Sequence, residues 1–210
     1  MRIIAGALKS RTLKTVEGEG YRPAMSRVRE SLFSMLDARL PAWEGLQVLD
    51  LFAGSGSLAF EALSRGAERA WLVENSARAL RCLEDNVERL GLAGRAVLCQ
   101  DDCLKLLRRV RGTGRNMGGP FDLVFSDPPY RRRLAQGSLD ALCACGWLQD
   151  GAFVVLEIEK GLELALPQGL GLFSDKCYGQ TRVLAARWDA SQAGAASPGG
   201  TGGPAEGEEA

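Results

Sequence analysis

Val48-Leu49-Asp50-Leu51-Phe52-Ala53-Gly54-Ser55-Gly56-Ser57-Leu58 runs from an apolar strand into a turn with alternating glycines. Glycines at 54 and 56 let the backbone pass close beneath a ligand at the C-terminal end of the strand, where open α/β sheets bind their ligands. The downstream sequence repeats this unit. Strands are expected over residues 47–52, 70–74, 96–99, 121–126 and 152–158, with helices through about residue 64 and over 76–90, 103–110 and 134–145. Strands alternating with helices imply a parallel sheet covered on both faces. The last two strands, 171–178 and 181–188, are separated only by Gly179-Gln180. Two residues cannot make a parallel crossover, so these strands are expected to form an antiparallel hairpin.

Upstream of the glycine turn, residues 2–5 and 12–16 flank a short Gly6/Ser10 turn and read as a small hairpin. Arg22-Pro23 breaks the chain. Val28, Leu32, Met35, Leu36 and Leu40 then recur near helical spacing, which predicts an amphipathic helix over 26–40 ending at Pro41. Residues 112–120 read as a flexible insertion. Residues 189–210, rich in Gly, Ala, Pro, Ser and Glu, cannot bury enough surface to order themselves and are expected to form a disordered acidic tail. The chain thus divides into a basic N-terminal hairpin and helix (1–40), one α/β domain (41–188) and the tail.

Charge and composition narrow the chemistry. Residues 1–40 carry eight Lys/Arg against four Asp/Glu, whereas 41–188 carry eighteen of each. A basic front on a neutral body suits an anionic partner approached from the N-terminal side. The six cysteines form no C-x-x-C pair and are expected to be reduced thiols, not disulfides or zinc ligands. No histidine is present, which removes Ser-His-Asp triads, Cys-His pairs and histidine metal sites. No metal is expected. No apolar run approaches the ~20 residues of a membrane span, and the N-terminal apolar stretch is short for a signal peptide. A cytoplasmic monomer is the expectation.

The acids at the strand ends favour one cofactor. Gly54, Gly56 and Ala59 satisfy G-x-G-x-x-[GA], which on its own is a weak dinucleotide signal. Asp50, within reach of the loop, would repel a pyrophosphate and favour a ligand with a cationic amino-acid end. At a buried strand end it has little evident structural use. Glu74 closes the second strand and suits ribose hydroxyls, although a helix cap is the competing role. Asp101-Asp102 follow the third strand; one can cap the next helix, and Asp101 suits an adenine amine. Amino-acid end, ribose and adenine together describe S-adenosylmethionine better than NAD.

Asp127-Pro128-Pro129-Tyr130 ends the fourth strand. The prolines fix φ and remove two backbone donors, so a carboxylate, a bare carbonyl and a flat ring are presented together. That equipment suits a planar group bearing an NH2. Asp127 is acceptor-only when ionised, which matches an amine donor. Arg131-Arg132-Arg133 follow directly and suit phosphates beside an unstacked base; Arg22, Arg27 and Arg29, with Lys9, Arg11 and Lys14, form a second basic group. Phosphate contacts of this kind weaken steeply with salt.

The sequence resembles the RsmD family of small-subunit (16S) ribosomal RNA guanine-N2 methyltransferases. The resemblance rests on residues 50–58, on Glu61-Ala62-Leu63-Ser64-Arg65-Gly66-Ala67 and on Asp127-Pro128-Pro129-Tyr130. Arg2-Ile3-Ile4-Ala5-Gly6, Arg22-Pro23, Arg27-Val28-Arg29-Glu30-Ser31-Leu32-Phe33 and the Tyr178-Gly179-Gln180 turn extend it over residues 1–188. Ala24-Met25 depart from the polar residues usual in that family. The resemblance implies a class I S-adenosylmethionine-dependent methyltransferase, a Rossmann-like seven-stranded sheet with an antiparallel C-terminal hairpin. It implies that Asp50, Gly54 and Gly56 hold the methionine moiety, Glu74 the ribose and Asp101 the adenine amine. Asp127 and the Pro128 carbonyl would then accept from the guanine N2 amine, with Tyr130 stacked on the base. The implied partner is 16S rRNA in the small ribosomal subunit or an assembly intermediate. Asp-Pro-Pro-Tyr also suits adenine N6 in DNA or RNA, which is the alternative substrate.

Overall fold

The computed structural model describes residues 1–16, 23–109, 118–129 and 134–194, with the backbone alone at 23–25. Five helices and seven strands follow in the order α1 (Pro23–Asp37), β1 (Gln47–Leu51), α2 (Ser57–Arg65), β2 (Arg69–Glu74), α3 (Ala77–Leu90), β3 (Ala96–Gln100), α4 (Cys103–Arg108), β4 (Phe121–Ser126), α5 (Leu134–Ala144), β5 (Leu148–Glu159), β6 (Leu170–Tyr178) and β7 (Thr181–Trp188). They form one seven-stranded sheet of order β3-β2-β1-β4-β5-β7-β6. The first five strands are parallel, and β7 enters antiparallel between β5 and β6. The expected parallel sheet and closing hairpin are both present.

The strands are apolar on both faces because both faces are covered. Val48, Leu72, Leu123, Phe125, Phe153 and Val155 lie on the face packed by α1, α2 and α3. Leu49, Leu51, Val73, Val124, Val154 and Leu156 lie on the other, against α4 and α5. Side chains alternate between faces along a strand. Asp50 and Glu74 therefore follow Val48 and Leu72 onto the α1–α3 face.

Several boundaries differ from those expected. Helix α1 begins at Pro23 and ends at Asp37. Arg22-Pro23 is thus a start signal and not only a break, since the fixed φ of proline suits the first helical position. Strand β5 begins at Leu148, four residues before the expected start, because Leu148 pairs with Phe121 ahead of a register shift. Helix α4 stops at Arg108. The N-terminal hairpin is looser than expected, with a single Arg2–Thr12 bridge. Residues 189–194, expected within a free tail, form a turn held to the body by Asp189 N–H to the Gly169 carbonyl (2.8 Å) and Ala190 N–H to Asp150 (2.9 Å). Residues 195–210 and most of the expected insertion (112–117 of 112–120) lie outside the described residues, as do 110 and 111. No two of the six cysteines are joined by a disulfide.

The N-terminal segment is fastened by a buried carboxylate. Glu61 of α2 has no exposed surface. Its oxygens accept the backbone N–H groups of Ile4 (2.7 Å) and Ala5 (3.0 Å) and the Arg65 Nε–H (3.0 Å). One turn on, Ser64 accepts the N–H of Ala7 at its carbonyl (2.7 Å) and that of Leu8 at its hydroxyl (3.0 Å). Gly6 lies so close that a Cβ there would stand 1.9 Å from the Ser64 oxygen. Arg65 in turn lies over the rings of Phe33 and Trp43 and pairs with Asp37 at 2.5 Å, which binds α1 to the same point. Removing the Glu61 carboxylate leaves two backbone N–H groups without their acceptor and takes from Arg65 one of its two carboxylate partners. Glu61→Ala is expected to cost about 3 kcal/mol or more, read as a lower denaturant midpoint at unchanged m-value.

Candidate active site

The chain leaves β1 toward β2 and β3 on one side and reaches β4 and β5 on the other. The β1–α2 loop therefore sits at the topological switch point, where open α/β sheets form their ligand crevice. Phe52 has φ 61°, Gly54 φ 53° and Gly56 φ 77°. Gly56 is required twice over, because a Cβ would also stand 2.4 Å from the Phe60 ring. Phe52 is a non-glycine residue in the left-handed region, a strained state that persists where the surroundings over-determine it. Two long-range contacts do so. The Cys103 thiol receives the Phe52 N–H at 3.3 Å, and Asn86 of α3 donates to the Ser55 carbonyl at 3.1 Å. Asn86 also bonds both backbone groups of Lys14, so one buried amide fixes the loop and the N-terminal hairpin together. Sequence reading did not single out Asn86; only its apolar surroundings on α3 mark it.

Along the C-terminal edge the acids line up in sheet order: Asp101 after β3, Glu74 on β2, Asp50 on β1, Asp127 after β4. Asp50 is 3% exposed and accepts the Ala59 N–H at 3.1 Å, tying the strand end to the first turn of α2. It therefore has the structural use that the sequence did not reveal. Burial pushes its carboxyl up to about 8, offset in part by the Ala59 N–H and reinforced by the Glu74 charge. Glu74 accepts Gly54 N–H (3.0 Å) on one oxygen and Asn75 and Ser76 N–H (2.8 Å each) on the other. It thus shapes the loop, while Ser76 is the cap of α3. The two adjacent acids after β3 separate their roles: Asp102 caps α4 through the Lys105 N–H, and Asp101 pairs with Arg109 at 2.7 Å.

On the other side of the switch point, Asp127 lines a cleft with Glu157 of β5, Ser57 of α2, Arg29 and Leu32 of α1, and Met1. The N-terminal half of α1 thus forms one wall of the cleft. The C-terminal hairpin supports it through a 2.6 Å bond between the Tyr178 and Ser31 hydroxyls. Pro128 is buried beside Asp127. Glu157 was missed in the sequence. Its signal is position: Val154-Val155-Leu156 runs into an acid as Leu123-Val124-Phe125-Ser126 runs into Asp127.

The expected RNA contacts fare unevenly. Arg27 is exposed. Arg29 is not placed for the surface phosphate contact expected of it. It is 6% exposed and donates to the Met1 Sδ and the Arg2 carbonyl, because α1 turns that face into the cleft. Lys14 pairs with Asp85 at 2.6 Å, and Arg11 donates to the Arg89 carbonyl. Arg22, Tyr130, Arg131, Arg132 and Arg133 lie outside the described residues.

A parallel sheet with a glycine loop and ordered acids at its switch point, closed by an antiparallel β5–β7–β6 edge, is the fold of the class I methyltransferases. The chain belongs to the family described as Conserved hypothetical protein 95, whose model matches residues 1–187. It is 37% identical over 182 residues to Ribosomal RNA small subunit methyltransferase D of Escherichia coli, covering 86% of each chain. The Haemophilus influenzae protein of the same name is 35% identical over 180 residues, covering 85% of this chain and 89% of that one. The solved structure of the Escherichia coli methyltransferase yhhF is similar at a TM-score of 0.78 and 35% identity, covering 90% of this chain and 98% of that one.

Asp50 yields a prediction with a definite sign. Its folded pKa stands above the ordinary 3.8, so its ionisation destabilises the fold progressively between about pH 4 and pH 8. Asp50→Asn keeps an acceptor for Ala59 and removes that burden. Its melting temperature is expected to exceed wild type by a few degrees at pH 8, with the gain vanishing toward pH 4. An equal shift at both pH values would contradict this.

Proposed function

We propose that the chain is an S-adenosylmethionine-dependent methyltransferase acting on the exocyclic N2 amine of a specific guanine in small-subunit ribosomal RNA. The observation that carries this reading is the position of Asp127: at the end of β4, next to the glycine loop, facing a cleft walled by α1. The residues of the β1–β3 half suit the cofactor. Positive φ at Gly54 and Gly56 opens the loop above the strand end, and Asp50, Glu74 and Asp101 follow one another in sheet order for the amino-acid end, the ribose and the adenine. A carboxylate offers about four acceptor sites, so Glu74 retains capacity for hydroxyls beyond its three backbone bonds.

Bound S-adenosylmethionine supplies a methyl group on a positive sulfonium. The chain supplies orientation. A guanine N2 lone pair is delocalised into the ring and is a poor nucleophile. Asp127 accepts one N–H and the Pro128 carbonyl the other, which turns the amine toward tetrahedral geometry and aims its lone pair. The Asp127 charge stabilises the positive character that the amine acquires, and its carboxylate is the acceptor for the proton the amine then releases. Alignment of two bound reactants provides the rest. No imidazole is needed, in keeping with a chain that has none. The target base must leave its stack to reach the cleft. Tyr130 would then stack on it and Arg131–Arg133 would meet the flanking phosphates, with Arg22 and Arg27 as further phosphate contacts. A ribosomal substrate places the enzyme in the cytoplasm. Among the described residues no helix is long and apolar enough to cross a membrane.

Both relatives carry ribosomal RNA in their names, which weighs against the alternative of adenine N6 in DNA. Asp127→Ala is expected to lower the methyl-transfer rate by about a hundredfold or more, measured with labelled cofactor in single turnover. Cofactor affinity by calorimetry and RNA binding should stay near wild type. Unchanged turnover would remove Asp127 from the mechanism.

A further inference from the structure

The face alternation of the sheet brings a second acid to the substrate half of the site. In the β4–β5 pairing, Phe125 stands opposite Val155 and Ser126 opposite Leu156. One step further along both strands come Asp127 and Glu157. Neighbouring strands are about 4.8 Å apart, so the two carboxyl groups start from adjacent backbone positions. Phe153 and Val155 belong to the α1–α3 face with Leu123 and Phe125, and Glu157 follows them onto it. Both acids line the same cleft. Glu157 is drawn partly into the protein, and burial holds its carboxyl above the ordinary carboxylate range. Two acids in one half-buried cleft disfavour each other's charge, and Arg29 lines the same cleft, so a ligand N–H that reaches Glu157 adds to the donors there and is worth more than it would be in water.

The base that fits two adjacent acids can be read from its edge. Guanine presents an N1–H donor beside its N2 amine, a run of donors. Adenine presents the N6 amine beside N1, which is a bare acceptor. A carboxylate next to the amine-holding acid matches the first and repels the second. We propose that Glu157 is the specificity-determining residue of the site, accepting the N1–H of the target guanine while Asp127 and the Pro128 carbonyl hold its N2 amine. This rests on the methyltransferase reading given above and adds to it the means of telling guanine from adenine. Donation from N1–H also favours the charged form of Glu157, which offsets its burial.

The test uses a substrate that keeps the reactive amine and loses the N1–H. The nucleotide methylated by the wild-type enzyme is mapped in unmodified small-subunit particles. The particles are then rebuilt with 2-aminopurine at that position, which has the 2-amine but a bare N1. The wild-type enzyme is expected to prefer guanine by at least about tenfold in kcat/KM, the scale of one hydrogen bond to a charged group. In Glu157→Gln the side-chain amide can donate to a bare N1, so the preference should collapse toward one. Each ratio is taken on a single protein preparation, so partial misfolding of the variant cancels. An unchanged preference in Glu157→Gln overturns the proposal. So does a wild-type enzyme that methylates both substrates equally, a measurement that needs no variant. If the wild-type product is N6-methyladenosine, the guanine reading itself fails, and that outcome is distinct from either of the others.

Discussion

Side chains on a β-strand alternate between two faces, and in this sheet that constraint selects which residues can meet a ligand. Val48, Leu72, Phe125 and Val155 bury themselves beneath α1–α3. Two residues further along each strand stand Asp50, Glu74, Asp127 and Glu157, on the same face but at its C-terminal edge. The apolar residues fix the register, because a slip by one residue would expose the core. The acids inherit their positions from that register. A site with four carboxylates along one edge thus costs little extra specification, since the core that supports it also aims it. The strand order then separates the acids, with those of β1, β2 and β3 on one side of the switch point and those of β4 and β5 on the other; in the proposed reading the first group serves the cofactor and the second the substrate.

The N-terminal extension belongs to the site more than its sequence suggests. Glu61 and Ser64 hold its backbone, Asn86 ties it to the glycine loop, and Arg65 joins α1 to the same anchor. These contacts give Glu61-Ala62-Leu63-Ser64-Arg65-Gly66 its meaning: the segment fastens one part of the chain to another. With the extension fixed, α1 stands over Asp127 and Glu157, so that a base entering the cleft would pass between a sheet edge and a helix. The wall includes buried Arg29, whose guanidinium also secures Met1 and Arg2.

Much of the fold was legible because it depends on local signals. Apolar runs, glycine turns and the two-residue Gly179-Gln180 link determine the strands, the sheet type and the antiparallel edge. Asp50, Glu74, Asp101 and Asp127 stand out as candidates because each ends a strand in a setting where an acid is unusual. What remained hidden depends on long-range pairing. Nothing near Glu157 in sequence says that β5 lies beside β4, and only that pairing sets it next to Asp127. Arg29 read as surface because charge in a helix usually is; its burial follows from packing against residues 27 and 28 positions earlier. The dual service of Asp50 and Glu74, as loop supports and candidate ligand contacts, likewise appears only with coordinates.

In the function proposed for it, the amine-gripping site is fitted to guanine within ribosomal RNA. The most direct test is methyl transfer from labelled S-adenosylmethionine to small-subunit particles lacking the modification, followed by digestion and identification of the labelled nucleoside. N2-methylguanosine at a single position is the predicted product. N6-methyladenosine as the labelled product, or label confined to protein, would contradict it.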